Sequence, residues 1–163
     1  MNQKSVTILC VSRYFKGSEL ISAAHADGHK VYLVTSSKLN TKPWPWESLT
    51  EVFYLDEDED GNWNTTHLIE GLAYQFRNIK FEIFISLDDF DVEHAALLRE
   101  YFRIPGMGET TARYFRDKLA MRIGIWGFID YINKNTPKDA VIYLPEGDTV
   151  TSNTSKWNYI YDP

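Results

Sequence analysis

Apolar residues in the first hundred positions follow two patterns, short continuous runs and stripes at helical spacing. Four runs rich in β-branched and aromatic residues predict buried strands: VTILCVS, KVYLVTS, EVFYL and FEIFISL. Between the third and fourth runs, apolar side chains recur at the i, i+3, i+4 spacing of an amphipathic helix. This stripe consists of Leu68, Ile69, Leu72, Ala73 and Phe76. We expect Thr65 or Thr66 to cap its helix.

Two more helices are predicted from the same spacing. The first contains Leu20, Ile21 and Ala24, and Gly28 is expected to end it in a left-handed conformation. The other carries the apolar positions Val92, Ala95, Leu98 and Phe102 and stops at the turn RIPG. Strands that alternate with helices indicate crossover connections. The expected fold class is therefore a three-layer, Rossmann-like α/β domain with a mostly parallel sheet.

A strand order of 3-2-1-4 would make the first and fourth strands neighbours whose connections diverge to opposite faces. Ligands of open α/β sheets bind at such a divergence, which here lies between the loops SRYFKGS and DDFDVE. The first loop has Gly17 alone where a dinucleotide fingerprint needs three glycines, which argues against NAD or FAD. Its Arg13 is either a ligand for a substrate carboxylate or a solvated surface residue.

Charge and composition exclude several classes of function. The net charge is −6, which disfavours nucleic-acid binding. The sole cysteine, Cys10, lies in an apolar run, so we expect a buried thiol and a cytoplasmic protein. No apolar run approaches the ~20 residues that span a bilayer, so no membrane association is expected.

Candidate metal sites are incomplete in the sequence. The segment DEDEDG, residues 56–61, begins like a calcium loop, but His67 stands where such a loop needs a bidentate glutamate. We favour a solvated acidic turn. His25 and His29 have the spacing of metal ligands on a helix, but Gly28 should break that helix. We expect no metal site and no catalytic triad.

The segment ETTARYFRDKLAMR, residues 109–122, is predicted to be a basic helix. Four basic and two acidic residues give it a charge of +2 in an acidic chain. Such a helix suits an anionic ligand, for example a nucleotide phosphate. The alternative is a solvated helix with an Arg113–Asp117 pair, and charge alone favours it.

The run from Asp88 to Arg122, DDFDVEHAALLREYFRIPGMGETTARYFRDKLAMR, resembles the end of the pre-ATP-grasp domain in ATP-grasp ligases. In that family an acidic residue opens a helix, an IPG-like turn follows, and a second helix bears an Asp-Lys pair. Together with the upstream βαβ units, the resemblance covers about residues 4–122.

The resemblance implies an ATP- and Mg-dependent ligation of a carboxylate with an amine or thiol through an acyl phosphate. By position, Lys118 would contribute to the nucleotide site. Arg13 and Glu93 would lie near the small carboxylate substrate. No catalytic residue is assigned.

The segment after Arg122 departs from the family, because only 41 residues remain where two whole lobes are expected. Residues 1–122 are therefore predicted to form the pre-ATP-grasp domain, and residues 123–163 a helix-strand extension packed on it. In that extension we predict a helix at Ile125, Phe128, Ile129 and Ile132, strands at AVIYL and KWNYIY, and a polar loop at EGDTVTSNTS.

The chain alone is expected to be a truncated ligase domain that does not catalyse ligation and binds neither ATP nor Mg firmly. One alternative is a stand-alone Rossmann-like module that binds a small anionic metabolite. Another is a self-associating domain, a possible homodimer, with Trp44, Trp46 and Trp157 on an exposed face.

Overall fold

The computed structural model describes residues 4–119, residue 121 and the short segments 141–143 and 149–151. The strands of its main sheet are β1 (Thr7–Ser12), β2 (Lys30–Ser36), β3 (Glu51–Leu55) and β4 (Ile83–Ser86). Its helices are α1 (Ser18–Ala26), α2 (Thr65–Gln75), α3 (Val92–Phe102) and α4 (Glu109–Arg116). The predicted strands and helices of the first hundred residues are confirmed, with small shifts at their ends.

The four strands form a parallel sheet in the order β3-β2-β1-β4. Ile8 of β1 lies opposite Val31 of β2 on one side and Ile83 of β4 on the other. This is the strand order considered in the sequence analysis, and the parallel sheet confirms the α/β fold class. It also places the carboxyl ends of β1 and β4 side by side.

Each face of the sheet has its own hydrophobic core, which makes three layers. On one face Leu9 and Val11 pack against residues of α2 and α3, including Leu72 and Leu98. On the opposite face Cys10 packs with Ile21 of α1 and with Trp44 from the loop before β3. Alternate residues of β1 thus serve opposite layers, as the pleat of a strand requires.

The sequence prediction was wrong about the cap of α2. The cap of α2 is Asn64, whose Oδ1 accepts a hydrogen bond from the His67 N–H at 3.1 Å. Asparagine is among the best capping residues, and its side chain takes the place expected of a threonine. In α1 only Ile21 is buried, and Leu20 is 41% exposed.

The predicted basic helix over residues 109–122 is interrupted. Helix α4 ends at Arg116 because Asp117 has the extended conformation φ −85°, ψ 110°, and the chain is helical again at Lys118 and Leu119. Aspartate prefers this conformation directly before a helix, where its carboxylate can face free backbone N–H groups. Arg122 lies outside the described residues.

The chain divides into two compact units, residues 1–117 and 118–163. In the second unit, β5 (Val141–Tyr143) pairs antiparallel with β6 (Thr149–Thr151). The strand within AVIYL is thereby confirmed, whereas the expected polar loop contains a strand at 149–151. The predicted helix at residues 125–132, the strand KWNYIY and Trp157 lie outside the described residues.

Candidate functional site

The candidate site is formed by the loops that follow β1 and β4. These strands are parallel neighbours, so both loops leave the same edge of the sheet. The first loop leads into α1 on one face, and the second leads into α3 on the other. This divergence is where ligands bind in open α/β sheets.

A buried ion pair joins the two loops. Asp91, which is fully buried, accepts a hydrogen bond from Arg13 Nε on Oδ1 at 2.8 Å. The backbone N–H of Arg13 donates to Oδ2 of the same carboxylate at 2.7 Å. Both carboxylate oxygens therefore have a donor, which a buried charge requires.

The rest of the Arg13 guanidinium also contacts protein. Nη1 donates to the Gly61 carbonyl and Nη2 to the Phe90 carbonyl, each at 3.3 Å. The side chain is 13% exposed. A guanidinium has five N–H groups, so these contacts with described residues account for three of them. Binding of a substrate carboxylate by Arg13 stays a prediction, and Asp91 already balances the charge of this cation.

Two more aspartates of the second loop pair with cations. Lys16 Nζ lies 2.5 Å from Oδ2 of the buried Asp88, and Arg116 Nη1 of α4 donates to Asp89 at 2.8 Å. Together with Arg13–Asp91, these pairs tie the loop after β4 to the loop after β1 and to α4. The loops are therefore held in one geometry by opposite charges.

The Lys16–Asp88 pair shifts the pKa of both groups. Burial of the Asp88 carboxyl raises its pKa, but the Lys16 ammonium and the Phe90 N–H outweigh burial, so the pKa is lowered below its ordinary value of 3.8. The hydrogen bond to Asp88 and its charge raise the pKa of Lys16 above 10.5. Both groups are therefore charged at neutral pH.

Aromatic side chains line the outer part of the site. The Phe90 ring lies 5.4 Å from the Tyr14 ring, and the Arg116 guanidinium lies 4.4 Å from its centroid. Tyr14 and Phe90 are each 44% exposed. The site thus combines an apolar outer surface with a charged interior.

His94 lies beside the buried ion pair. Its Nδ1 is 3.4 Å from Asp91 Oδ1, and its ring contacts Trp63 with centroids 5.5 Å apart. Sequence reasoning missed Asp91 and His94 as site residues. The sequence did contain a signal for Asp91. Several aspartates follow β4, and the loop after the neighbouring strand β1 contains basic residues that could pair with them.

The other predicted site residues lie in two places. Glu93 is exposed in the first turn of α3, directly after Asp91 and Val92. Lys118 belongs to the second compact unit. The structure brings Arg13 and the start of α3 together, and the nucleotide role of Lys118 stays a prediction.

The acidic segment DEDEDG forms a turn. Asp58 Oδ1 accepts hydrogen bonds from the backbone N–H groups of Asp60 at 3.1 Å and Asn62 at 2.7 Å. Across the part of the chain that the structure describes, no three His, Cys, Asp or Glu side chains are grouped so that they could hold a metal ion. Within the same residues no helix is both long and apolar enough for a membrane span.

Comparison with known proteins shows a similarity to a solved structure. No family model matches the sequence, and no curated protein matches it significantly. An L-amino acid ligase from Bacillus licheniformis has a similar structure, with a TM-score of 0.61 and 18% sequence identity. This chain has the fold of part of that ligase. The match covers 86% of this chain and 34% of the ligase, so the chain spans about a third of the ligase's length.

The segment between α3 and α4, which includes the IPG turn, is held by two side chains of α3. Arg99 donates from Nε to the Met107 carbonyl and from Nη1 to the Phe84 carbonyl of β4, each at 2.8 Å. Glu100 accepts a hydrogen bond from the Glu109 N–H at 2.8 Å. These contacts fix the start of α4, and hence Arg116, relative to the sheet.

Proposed function

We propose that residues 1–122 form the substrate-side, pre-ATP-grasp part of an ATP-dependent ligase that joins a carboxylate to an amine through an acyl phosphate. The observation that carries the proposal is the fold similarity to part of an L-amino acid ligase. The sequence run from Asp88 to Arg122 supports it independently, because it resembles the end of this domain in ATP-grasp enzymes.

In this proposal the crevice between the loops after β1 and β4 holds the amino acid. The exposed carboxylate of Glu93 can accept hydrogen bonds from a substrate ammonium. Two N–H groups of Arg13 have no partner among the described residues and could bind a substrate carboxylate, and Asp91 fixes the position of Arg13. Because Arg13 is mostly buried and already neutralised, we expect Glu93 to contribute more to affinity.

The nucleotide chemistry is assigned to residues outside this crevice. Lys118, in the second unit, is proposed to contact the nucleotide phosphate because it matches the lysine of the family's Asp-Lys pair. When bound, Mg²⁺ would neutralise phosphate charge during the transfer. The described residues contain no group of ligands for it, so we assign no step to a metal here.

The first experiment measures ATP-dependent phosphate release by the purified chain with Mg²⁺ and L-amino acids. We expect no release above background, because the proposal assigns the chemistry to lobes beyond this domain. Steady release that depends on the amino acid would contradict this assignment. Sequencing the downstream reading frame shows whether the two lobes are encoded directly after this chain.

The second experiment measures amino-acid binding by calorimetry with a panel of L-amino acids. Glu93→Gln should weaken binding about tenfold, since a charged hydrogen bond contributes about 1.5–3 kcal/mol when buried and less when exposed. Glu70→Gln, which removes an exposed carboxylate from the middle of α2, is the matched control and should leave affinity unchanged. Equal affinity in both variants would refute the Glu93 assignment.

The same titrations address the alternative of a stand-alone module for a small anionic metabolite. That alternative needs a cation free to bind an anion, whereas Arg13, Lys16 and Arg116 are each paired with an aspartate. It would be favoured if an organic anion without an amino group bound more tightly than any amino acid.

The alternative of a self-associating domain rested on an exposed tryptophan face. Trp44 is buried, at 2% exposure, and its indole N–H donates to the Leu39 carbonyl at 3.2 Å. Trp46 is exposed, and Trp157 lies outside the described residues. Trp44 was therefore wrongly assigned to that face, because it belongs to the core beneath α1.

A further inference from the structure

The outer strand β3 has one unpaired edge among the described residues. It pairs with β2 on one side, and no described strand lies on the other. In a parallel sheet, successive residues direct their backbone N–H and C=O groups to opposite sides. Every second residue of β3 therefore offers a donor and an acceptor to an additional strand.

A groove runs beside this edge, between β3 and α2. Its volume is about 310 Å³, and its lining includes Phe53 and Leu55 of β3 and Leu72 of α2. Three more lining residues, His67, Gly71 and Gln75, are four apart in sequence and share one face of α2.

Gly71 keeps the middle of this groove open. A Cβ atom built at Gly71 would have nothing within 4 Å, so a larger residue would have room there. Glycine in a helix interior costs up to about 1 kcal/mol relative to alanine. The helix thus gives up stability at a position in the middle of the groove lining, where a larger side chain would occupy the groove.

We propose that this edge and groove bind an extended segment of a partner protein, which adds a fifth strand beside β3. Backbone hydrogen bonds to β3 would supply much of the affinity. A large apolar side chain of the partner would fill the groove between Phe53 and Gly71. A free strand edge next to a helix is the geometry used by domains that recognise peptides through strand addition.

The acidic residues around β3 indicate which charge the partner segment carries. Residues 47–60, which include β3, contain seven aspartates and glutamates and no lysine or arginine. Glu51 is the first residue of the strand and Asp56 directly follows its last residue. Both are exposed. The proposed segment therefore carries lysine or arginine on either side of its apolar residue.

The same charges oppose pairing with a second copy of this chain. Two antiparallel β3 strands would bring Glu51 of one copy close to Asp56 of the other. Like charges at directly opposed positions destabilise a strand pair. The acidic edge thus favours a basic partner over self-association.

The test uses a labelled basic peptide, Lys-Lys-Val-Thr-Leu-Thr-Val-Lys-Lys, and fluorescence anisotropy with the full chain. Gly71→Leu should weaken binding at least about tenfold, because its side chain occupies the groove. The variant should fold, since it replaces a helix-interior glycine by a better helix former. Thr66→Leu, at an exposed α2 position outside the groove, should bind like the unaltered chain.

Two modified peptides separate strand addition from simple charge attraction. One peptide is N-methylated at the alternate residues whose N–H groups would donate to β3. This change should abolish binding. Replacement of the lysines by glutamate should also abolish binding. Amide hydrogen exchange provides a direct readout, because alternate amides of β3 should exchange more slowly in the complex.

Several results would overturn the proposal. These are no binding up to ~1 mM peptide, equal binding of the glutamate peptide, and full affinity of Gly71→Leu. Protection of the β3 amides that rises with protein concentration alone would instead identify a second copy as the occupant. Ligase activity does not enter any of these measurements, so the result is independent of the proposed function.

Discussion

At the scale of single residues, the aspartates of the loop after β4 differ mainly in burial. Asp91 is fully buried beneath Arg13, whereas the side chain of Asp89, which binds Arg116, is 69% exposed. We predict that Asp91→Ala lowers the free energy of unfolding by about 3–5 kcal/mol, because it leaves the mostly buried Arg13 cation without a counter-charge. Urea denaturation measures this loss.

Asp89→Ala is the matched control, since it removes an aspartate from the same loop. An exposed ion pair contributes at most about 1 kcal/mol, so we expect a change no larger than that. Similar losses in both variants would mean that burial does not distinguish the two pairs.

The Lys16–Asp88 pair should make stability depend on pH. The pKa of Asp88 is lower in the folded chain than its ordinary value of 3.8, so its contribution is present above about pH 4. It is lost as the pH falls through the lowered pKa of the folded state. Lys16, whose pKa is raised, contributes until the pH rises above about 10.5.

We therefore predict that Asp88→Asn destabilises the chain at pH 7 and that its difference from the unaltered chain shrinks below about pH 4. Urea denaturation at a series of pH values measures this difference. If Asp88→Asn lowers the free energy of unfolding equally from neutral to strongly acidic pH, the charge of the Asp88 carboxylate does not contribute to stability.

At the scale of elements, the connection between α3 and α4 depends on Gly106. This residue has φ 140°, and a Cβ atom there would lie 2.8 Å from Arg99 Cδ. Arg99 is held in place by the Met107 and Phe84 carbonyls, so it cannot easily move aside. Gly106→Ala should therefore incur both backbone strain and a steric clash.

Gly28→Ala separates these two costs. Gly28 has φ 84° but nothing within 4 Å of a Cβ atom, so its substitution reports backbone strain alone. We predict that Gly106→Ala lowers the free energy of unfolding by at least about 1 kcal/mol more than Gly28→Ala does. Thermal or urea unfolding measures this difference. Equal losses would mean that Arg99 accommodates the methyl group.

The strands and helices of residues 7–102 were predictable because each follows a simple hydrophobic period. The run around Cys10 is continuous since both faces of β1 are covered. The break at Asp117 was not predictable from spacing, because apolar and basic residues keep the helical period across it. Aspartate can extend a helix or cap the next one, and local hydrogen bonding decides between them.

The location of the site was predictable, but its internal pairing was not. Topology placed the loops after β1 and β4 together, and the strand order confirms this. The choice of Asp91 as the partner of Arg13 depends on side-chain directions that sequence does not specify. The same limit explains Trp44, whose burial depends on how the loop before β3 folds over α1.

At the scale of the whole molecule, the described residues of the core around Cys10 all belong to the first compact unit. Its neighbours on that face of the sheet, such as Ile21, Leu33 and Trp44, all precede residue 117. Burial raises the pKa of the Cys10 thiol to about 12, so very little thiolate exists at pH 8. The reactivity of Cys10 is therefore a sensitive report on whether this core is intact.

We predict that a fragment of residues 1–117 folds without the second unit and keeps Cys10 protected. In Ellman's assay at pH 8, its thiol should react as slowly as that of the full chain and at least about a hundredfold more slowly than in urea. The urea-unfolded fragment is the control, because the same thiol is then exposed. Fast reaction of the native fragment, with slow reaction of the full chain, would mean that residues 118–163 are needed to complete the core.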